Sequence, residues 1–343
     1  MSLELSYYNL AASICNKIYD EIKSKILIEF KENNLKSIDI LELIEFGNKR
    51  ILEEMSKYFK KSKKTKGIAC PVSITTNNTV LYYTYDFEFK ENPLNYIKET
   101  DIIKINLGVT INDCIANLCE TFTILENKSI DKIIKQLNKI TNKMVDMIAP
   151  GEINDEIRIL VESKCTEKDI FPIENCISFQ QKEGNIDFDD SKFLILNYKK
   201  KYDSDDNLVS LDNLCFEYEP NEVYTIQLSV VQIDETDNKI EYKKLRSSHL
   251  YRFNENHYSL KLKNSREFLN ETKSKHNNYL FDIQEYYKNA KNKMGINECI
   301  KNGLLQEYPI ITVTQNELPL PVITKIFTIL VTEDGCKMLK YHS

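Results

Sequence analysis

The chain has 343 residues, of which 42% are hydrophobic and 29% charged, and its formal net charge is −6. This apolar fraction can build a substantial core, and the acidic balance argues against a general nucleic-acid binder. No apolar run approaches the roughly 20 residues that span a bilayer, and the N-terminus lacks the apolar stretch of a signal peptide, so we expect a soluble intracellular protein.

The first sixty-six residues predict two amphipathic helices and a lysine-rich run. Apolar residues recur at helical spacing over 7–32, and a second helix is expected from an N-cap at Ser37 to about Phe59. Lysines near a helix C-terminus can cap it, and five lysines in seven residues could equally contact phosphate groups. The five are Lys60, Lys61, Lys63, Lys64 and Lys66.

Residues 101–123 predict a largely buried β-hairpin. Apolar, mostly β-branched residues on both strands flank a turn that contains Asn112 and Asp113. Two inward positions, Asn106 and Asn117, lie eleven residues apart and are expected to face one another across the ladder. Carboxylates at both positions would form half of a dinuclear metal site. Both residues are amides.

The remaining chain predicts further helices and strands around a basic stretch. We expect helices over 129–148, 153–165, 266–275 and 282–293, strands over 222–233, 310–314 and 323–332, and an exposed loop at 198–207. Residues 243–303 hold thirteen Lys and Arg against six Asp and Glu, a local charge of +7 that leaves −13 on the remainder. This asymmetry suggests a surface for a polyanion, and a solvated helical surface would give the same count.

Three central blocks carry a family resemblance. KGIACPVSITTNNTVLYY (66–83), DIIKINLG (101–108) and CIANLCETF (114–122) resemble type 2 methionine aminopeptidases. They are more similar still to the non-peptidase relatives of those enzymes, the proliferation-associated (ErbB-receptor-binding) proteins, and the resemblance extends from about 7 to about 337. It implies an α+β chain: a single pita-bread (methionine aminopeptidase-like) domain over 1–343, with a basic helical insert at 245–303 between late strands.

The resemblance also indicates a lost active site. The aminopeptidases hold two metal ions with two Asp, one His and two Glu, and a further His assists cleavage. Hard divalent ions need anionic oxygen ligands, so substitution of these positions predicts no metal, no cofactor and no peptidase activity. The matching ligand positions are Asn106, Asn117, Phe179, Gln227 and Ile326, and the assisting-His position is Tyr82.

Histidine and cysteine placement gives no support to other chemistry. The first histidine of the chain is His249, so His-assisted catalysis cannot come from most of the predicted pocket. His249, His257, His276 and His342 lie in polar stretches, where we expect exposed side chains. The nine cysteines include no CxxC pair and are expected to be reduced and mostly buried. Amides at 106, 117 and 227 are expected to replace the metal cluster by hydrogen bonds, with a pocket that grips a peptide N-terminus as the alternative.

The predicted function follows from the insert. Family members resemble ribosome-associated factors that sit around the polypeptide tunnel exit of the large subunit and use a KxKxSR element against rRNA. The matching cations are Lys261, Lys263 and Arg266, within LKLKNSR (260–266), and the supporting cations are Lys243, Lys244, Arg246 and the five lysines of 60–66. Four aromatic residues between them could stack on unpaired bases or form the core of the insert: Tyr251, Phe253, Tyr258 and Phe268.

The resemblance therefore predicts a catalytically inactive protein that binds rRNA and tunnel-exit proteins of the large ribosomal subunit. We expect a cytoplasmic, ribosome-associated monomer with no membrane contact, and the resemblance also allows a nucleolar or nuclear fraction. The chain ends at Ser343, soon after the last predicted strand, so we expect it to lack the family's Lys-rich C-terminal tail. The alternative is a protein-binding adaptor of the same fold without RNA contact.

Overall fold

The computed structural model describes residues 2–59, 65–174, 176–182, 184–185, 191–197, 215–233, 240–245, 247–254, 256–287 and 290–339. Several predictions fall outside these ranges: those for Lys60, Lys61, Lys63, Lys64, Arg246 and His342, and the loop at 198–207.

Within the described ranges the chain alternates between helices and strands. The helices are α1 (Ser2–Lys31), α2 (Ile40–Ser56), α3 (Lys128–Met147), α4 (Asn154–Thr166), α5 (Lys263–His276), α6 (Gln284–Tyr287) and α7 (Ala290–Lys301). The strands of the first half are β1 (Ser37–Asp39), β2 (Lys66–Thr76), β3 (Tyr96–Lys98), β4 (Ile102–Ile111), β5 (Cys114–Thr123), β6 (Phe171–Pro172), β7 (Ile177–Gln181) and β8 (Phe193–Ile195). Those of the second half are β9 (Val223–Val231), β10 (Glu241–Lys244), β11 (Leu250–Phe253), β12 (Phe281–Asp282), β13 (Leu305–Tyr308), β14 (Ile311–Gln315), β15 (Leu318–Pro319), β16 (Ile323–Thr332) and β17 (Gly335–Met338).

Most predicted elements are confirmed to within a few residues, but two are wrong. Ser37 does not cap α2, because it starts the short strand β1, which pairs with β3, and Asp39 accepts a hydrogen bond from the Leu41 amide instead. The helix predicted over 282–293 is interrupted. Phe281 and Asp282 form β12, Asp282 accepts from the Gln284 amide to begin α6, and α7 starts only at Ala290.

A nine-stranded antiparallel sheet organises the described residues. Its order is β2-β4-β5-β16-β9-β7-β8, with β17 paired to β16 and β6 paired to β9. Because strand residues alternate between faces, Cys119 and Ile326, which pair across β5 and β16, share one face, and Leu118 and Phe327 share the other. On that second face α1 packs on β4 and β5, and α2 packs on β2. Helix α3 packs on β5, β16 and β17, and α4 packs on α3 and β6.

The central hairpin has the predicted turn but a different register. Asn112 and Asp113 have φ of 50° and 61°, the left-handed pair that a two-residue type I′ turn requires. This tight turn places Asn106 opposite Cys119 and Asn117 opposite Gly108. The expectation that the two asparagines face one another is therefore wrong. They are diagonal neighbours on one face of the sheet.

The basic segment, as we call residues 245–303, packs around a small core of its own. Strands β12, β11 and β13 form a three-stranded sheet, and α5 and α7 pack together beside it. Tyr251, Phe253 and Phe268 are buried in this core, whereas Tyr258 is exposed. Three of the four aromatic residues proposed for base stacking are therefore structural.

Gly108 permits a close approach between the hairpin and β2. A Cβ atom at position 108 would lie 2.3 Å from Asn117 Oδ1 and 2.9 Å from Cys70 Cβ. We expect Gly108→Ala to lower the free energy of unfolding by about 1–3 kcal/mol, because the Cys70 backbone cannot retreat without strain. Urea denaturation measures the loss. Gly67→Ala in the same sheet is the control, since its Cβ would come no nearer than 4.0 Å to Thr110, and it should be neutral or stabilise by up to about 1 kcal/mol. Equal effects of the two changes would contradict this explanation.

Candidate functional site

All six positions that the sequence matched to the lost active site line one cavity. Its walls include Tyr82, Asn106, Asn117, Phe179, Gln227 and Ile326. They come from β4, β5, β7, β9, β16 and the segment after β2, on the sheet face opposite α1–α4. The cavity has a volume of about 40 Å³, which is far below the roughly 300–1,000 Å³ of a small-molecule site and holds only a few waters.

The amides of this cavity are held by neighbouring side chains. Asn106 Nδ2 donates to Ser73 Oγ at 3.3 Å and more weakly to Cys70 Sγ at 3.4 Å. Asn117 Nδ2 donates to Thr225 Oγ1 at 3.0 Å, and Gln227 Oε1 accepts from the Tyr82 hydroxyl at 3.3 Å. Polar groups in a closed site need such partners, because an unpaired buried donor costs about 1–3 kcal/mol.

Aromatic and aliphatic side chains complete the walls. Tyr82 packs edge-on against Tyr308, with ring centroids 5.2 Å apart, and its φ of 69° lies in the left-handed region that bulky residues rarely adopt. Ile326 faces the cavity, whereas its neighbour Phe327 packs in the core on the helix-covered face. Position 326 is therefore the one of the two that points into the cavity. Phe179 and Ile326 offer no atom that could bind a metal.

The cavity contains no constellation suited to a metal ion. Across the described residues, no three His, Cys, Asp or Glu side chains lie close enough to share one. Cys70 is the soft donor nearest Asn106, and burial raises the pKa of its thiol to about 12, so the thiolate is scarce at neutral pH.

A stretch of the basic segment forms part of the cavity wall. Asn278, Tyr279 and Leu280 line it, and the Leu280 amide donates to Ala69 O at 3.1 Å. The Tyr279 hydroxyl accepts from Thr110 Oγ1 and donates to Asp113 Oδ1 at 2.8 Å. These bonds tie the segment to β4, to the turn of the central hairpin and to β2. Nothing in the sequence pattern indicated this contact.

A second, larger cavity adjoins the first. It has a volume of about 390 Å³ and shares Tyr82, Phe179, Gln227 and Tyr308 with the closed cavity. Its other walls are mostly apolar, with Glu174, Arg252, Gln306 and Glu307 at the polar positions. This space is large enough for a side chain, so the alternative role of gripping a peptide stays a prediction.

The cations predicted to bind RNA occupy different environments. Lys243 and Lys261 are exposed, Lys244 pairs with Glu307, and Lys263 lies 3.6 Å from Glu267. Arg266 is exposed and donates to the Leu260 carbonyl at 3.2 Å. Lys66 donates to Tyr58 O at 2.8 Å, so it caps the end of α2, as the capping alternative proposed.

Glu298 fixes the position of the LKLKNSR element. The element spans the start of α5, whose N-cap residue, Leu262, has no side chain that can accept a hydrogen bond. Glu298 of α7 instead accepts from the amides of Lys261, at 2.9 Å, and Leu262, at 3.2 Å. A carboxylate at a helix N-terminus satisfies free N–H groups and stabilises the dipole, so these cations project from an anchored turn.

The prediction that the histidines are exposed is wrong for two of them. His249 is 1% exposed, and its Nδ1 accepts from the Thr84 amide at 3.3 Å. His276 is half-buried and stacks on Phe281, with ring centroids 5.2 Å apart. Burial lowers the pKa of both to about 4, so both rings are neutral at physiological pH. Their polar sequence neighbours concealed these tertiary contacts. His257 is exposed, as predicted.

Comparisons with known proteins place this site in context. ErbB-3 binding protein 1 of Solanum tuberosum is 25% identical over 346 residues, which cover 98% of this chain and 81% of that protein. The curved DNA-binding protein of Schizosaccharomyces pombe is 24% identical over 301 residues, 86% of this chain and 75% of that protein. The chain is a homologue of the ErbB-3-binding and proliferation-associated proteins. No protein-family model matches it.

Solved structures show the fold of this chain. A thermophilic Arx1 superposes with a TM-score of 0.78 at 20% identity and covers 99% of this chain and 91% of its own. Methionine aminopeptidase from Thermotoga maritima superposes with a TM-score of 0.56 at 10% identity, over 100% of this chain and 98% of that enzyme. The predicted pita-bread fold is confirmed. No helix of the described residues is both long and apolar enough to span a membrane.

Sequence reasoning missed a buried lysine, Lys104, on the cavity face of the central hairpin. Lys104 is fully buried, and its Nζ donates to Asn77 O at 2.9 Å and to Val322 O at 3.1 Å. It thereby joins the turn after β2 to the start of β16. Desolvation lowers the pKa of Lys104 to about 7. Lys104, Asn106 and Gly108 occupy alternate positions of β4, and this pattern could have predicted that one face of the strand is polar.

We expect stability to depend on Lys104 in a defined pH window. The unfolded lysine keeps its proton up to about pH 10.4, whereas the folded one releases it near pH 7, so unfolding takes up a proton between these values. The free energy of unfolding of the wild type should therefore rise relative to Lys104→Met between about pH 7 and 9, by at most about 1.4 kcal/mol per pH unit. Urea denaturation across this range measures the difference. Parallel curves would show that Lys104 titrates normally.

We expect Asn106→Asp to lower the free energy of unfolding by about 3 kcal/mol at pH 7.5 or so, because it buries a carboxylate among cavity-lining residues that include no lysine or arginine, while Lys104 is held by Asn77 O and Val322 O. Asn117→Asp is the matched control and should cost less, since its side chain is only half-buried. The folded pKa of the carboxyl introduced at position 106 would be raised, so the loss of stability should shrink as the pH falls toward about 5. An undiminished stability at neutral pH would reveal a cation in the cavity.

Proposed function

We propose that this protein is a catalytically inactive, methionine-aminopeptidase-like factor that binds the large ribosomal subunit. Binding involves rRNA and proteins near the polypeptide tunnel exit and uses the basic segment. The observation that carries the loss of catalysis is the convergence of Tyr82, Asn106, Asn117, Phe179, Gln227 and Ile326 on one small cavity. None of these side chains supplies the charged oxygen or imidazole that two metal ions and a peptide hydrolysis need.

The basic segment supports the ribosomal part of the proposal. Lys261, Lys263 and Arg266 are exposed at the start of α5, where Glu298 anchors the turn. Arginine can bind a phosphate with two hydrogen bonds, and lysines add positive charges that attract a polyanion. Lys243 lies exposed on β10, and Lys244 is held by Glu307. The name of the S. pombe relative, a curved DNA-binding protein, is consistent with nucleic-acid contact.

A protein-binding adaptor without RNA contact is the second candidate. The name of the S. tuberosum relative, ErbB-3 binding protein 1, favours protein recognition. The cavity of about 390 Å³ beside Tyr82 and Phe179 could receive an apolar side chain of a partner. The two candidates differ in salt dependence, because phosphate contacts release counterions and apolar docking does not.

The test is co-sedimentation of the full chain with isolated large ribosomal subunits at about 50 and 200 mM salt. The variant is Lys261→Glu/Lys263→Glu/Arg266→Glu. We expect the wild type to bind, binding to weaken steeply with salt, and the variant to lose at least about tenfold in affinity. Each lost phosphate contact should also reduce the slope of log affinity against log salt by about 0.9.

A matched charge reversal controls for net charge. Lys36→Glu/Lys90→Glu/Lys98→Glu changes three exposed lysines far from the basic segment in sequence and should bind as the wild type does. Circular dichroism verifies that each variant is folded. If wild-type protein does not sediment with subunits at either salt concentration, the ribosomal proposal fails and the adaptor becomes the better account.

A further inference from the structure

A row of lysines lies on the outer surface of α3. Lys128, Lys132, Lys135, Lys139 and Lys143 are separated by four, three, four and four residues, and all five are exposed. This spacing keeps them on one side of the helix. At 1.5 Å per residue, the row is about 22 Å long. Lys168, just after α4, lies across a shallow groove of about 680 Å³ from the row.

The charge of this row is only partly compensated by its neighbours. Among the described residues, none of the five lysines has an acidic side chain within ion-pair distance. The groove also contains Glu126, Asp131 and Glu167. Glu167 pairs with Lys164, and Lys168 and Lys143 attract its carboxylate more weakly. In and beside the basic segment, Lys244, Lys263, Lys275 and Lys293 each pair with a glutamate, whereas Lys243 and Lys261 are exposed. The α3 row and the basic segment therefore both present lysines that are available to a polyanion.

The row lies on the opposite side of the sheet from the cavity. The buried face of α3, which includes Ile133, Leu137 and Met144, lies in the same hydrophobic core as Ile226 and Leu228 of β9. Gln227, between those two residues, faces the closed cavity. The basic segment lies on the cavity side, where Tyr279 and Leu280 line the wall. One partner on the cavity side would leave the α3 row accessible.

We infer that the α3 lysine row and Lys168 form a second polyanion-binding surface, which holds the phosphate backbone of double-stranded RNA. Lysine is a flexible point charge, which suits phosphates and carries no base specificity. The groove is lined without any aromatic ring on which an unpaired base could stack, so a duplex fits it better than a single strand. The choice of RNA over DNA rests on the proposed function, in which the basic segment also contacts RNA.

Two other polyanions fit less well. Binding in the plane of a membrane requires an exposed apolar helix face, whereas the apolar face of α3 is buried against the sheet. An acidic peptide would bring alternating side chains of variable length, and no apolar pocket along the groove could fix its register. A phosphate backbone needs only the continuous row of charge.

Fluorescence anisotropy with a labelled RNA duplex of about 20 base pairs and arbitrary sequence tests this inference without ribosomes. The variant is Lys132→Glu/Lys135→Glu/Lys139→Glu, and Lys132→Arg/Lys135→Arg/Lys139→Arg is the charge-preserving control. We expect the reversal to weaken binding at least about tenfold and to lower the salt slope by about 2–3, while the arginine variant binds as the wild type does. A single strand of the same sequence should bind more weakly.

The outcomes separate this inference from the ribosomal proposal. The Lys261→Glu/Lys263→Glu/Arg266→Glu variant should retain at least part of its duplex binding through the α3 row, even if it no longer sediments with ribosomal subunits. An unchanged affinity and salt slope in the α3 reversal variant would overturn the inference. Reversal-sensitive binding to vesicles with anionic lipid, or to a polyglutamate peptide, without binding to the RNA duplex would overturn it in favour of that ligand.

Discussion

The structure depends on a row of polar side chains on one face of a sheet that is covered on both sides. Lys104, Asn106, Asn117 and Gln227 all point away from the helices, and each has a hydrogen-bond partner inside the protein. Buried polar groups cost free energy unless they are paired. Two clustered metal ions would impose a different set of partners. Here amides, hydroxyls and backbone carbonyls bond to one another, so the strands keep their places without a buried charge cluster.

Closure of the cavity follows from the same pairing. Asn117 lies over Gly108, Tyr279 bonds to β4 and to the turn of the hairpin, and Tyr82 donates to Gln227. These contacts leave little open space and attach the basic segment to the hairpin. The exposed cations at the start of α5 therefore project from a turn that Glu298 anchors, in a segment that Leu280 joins to Ala69 of β2. Preorganised charges lose less entropy on binding a polyanion than mobile ones.

The sequence predicted the elements that local pattern determines. Apolar residues at every second position predicted β16, and apolar residues at every third or fourth position predicted α3. Both elements were predicted to within a residue. The matched positions 82, 106, 117, 179, 227 and 326 meet at one cavity because strand alternation puts them on one face. The register error at Asn106 was avoidable, since a two-residue turn at 112–113 fixes the pairing. Other features depend on distant partners: Ser37 pairs with Lys98, His249 contacts Thr84, and Glu298 caps a helix that begins 35 residues earlier in the chain. No local pattern carries such information.

The central claim is the proposal that this protein acts by binding, through the surface that its basic segment presents. Cryo-electron microscopy of the full chain mixed with large ribosomal subunits tests it most directly. The account predicts density for the protein near the tunnel exit, with Lys261, Lys263 and Arg266 against rRNA phosphates and no metal density among Asn106, Asn117 and Gln227. Density that docks the protein through another face, or two metal ions in the cavity, would contradict the account.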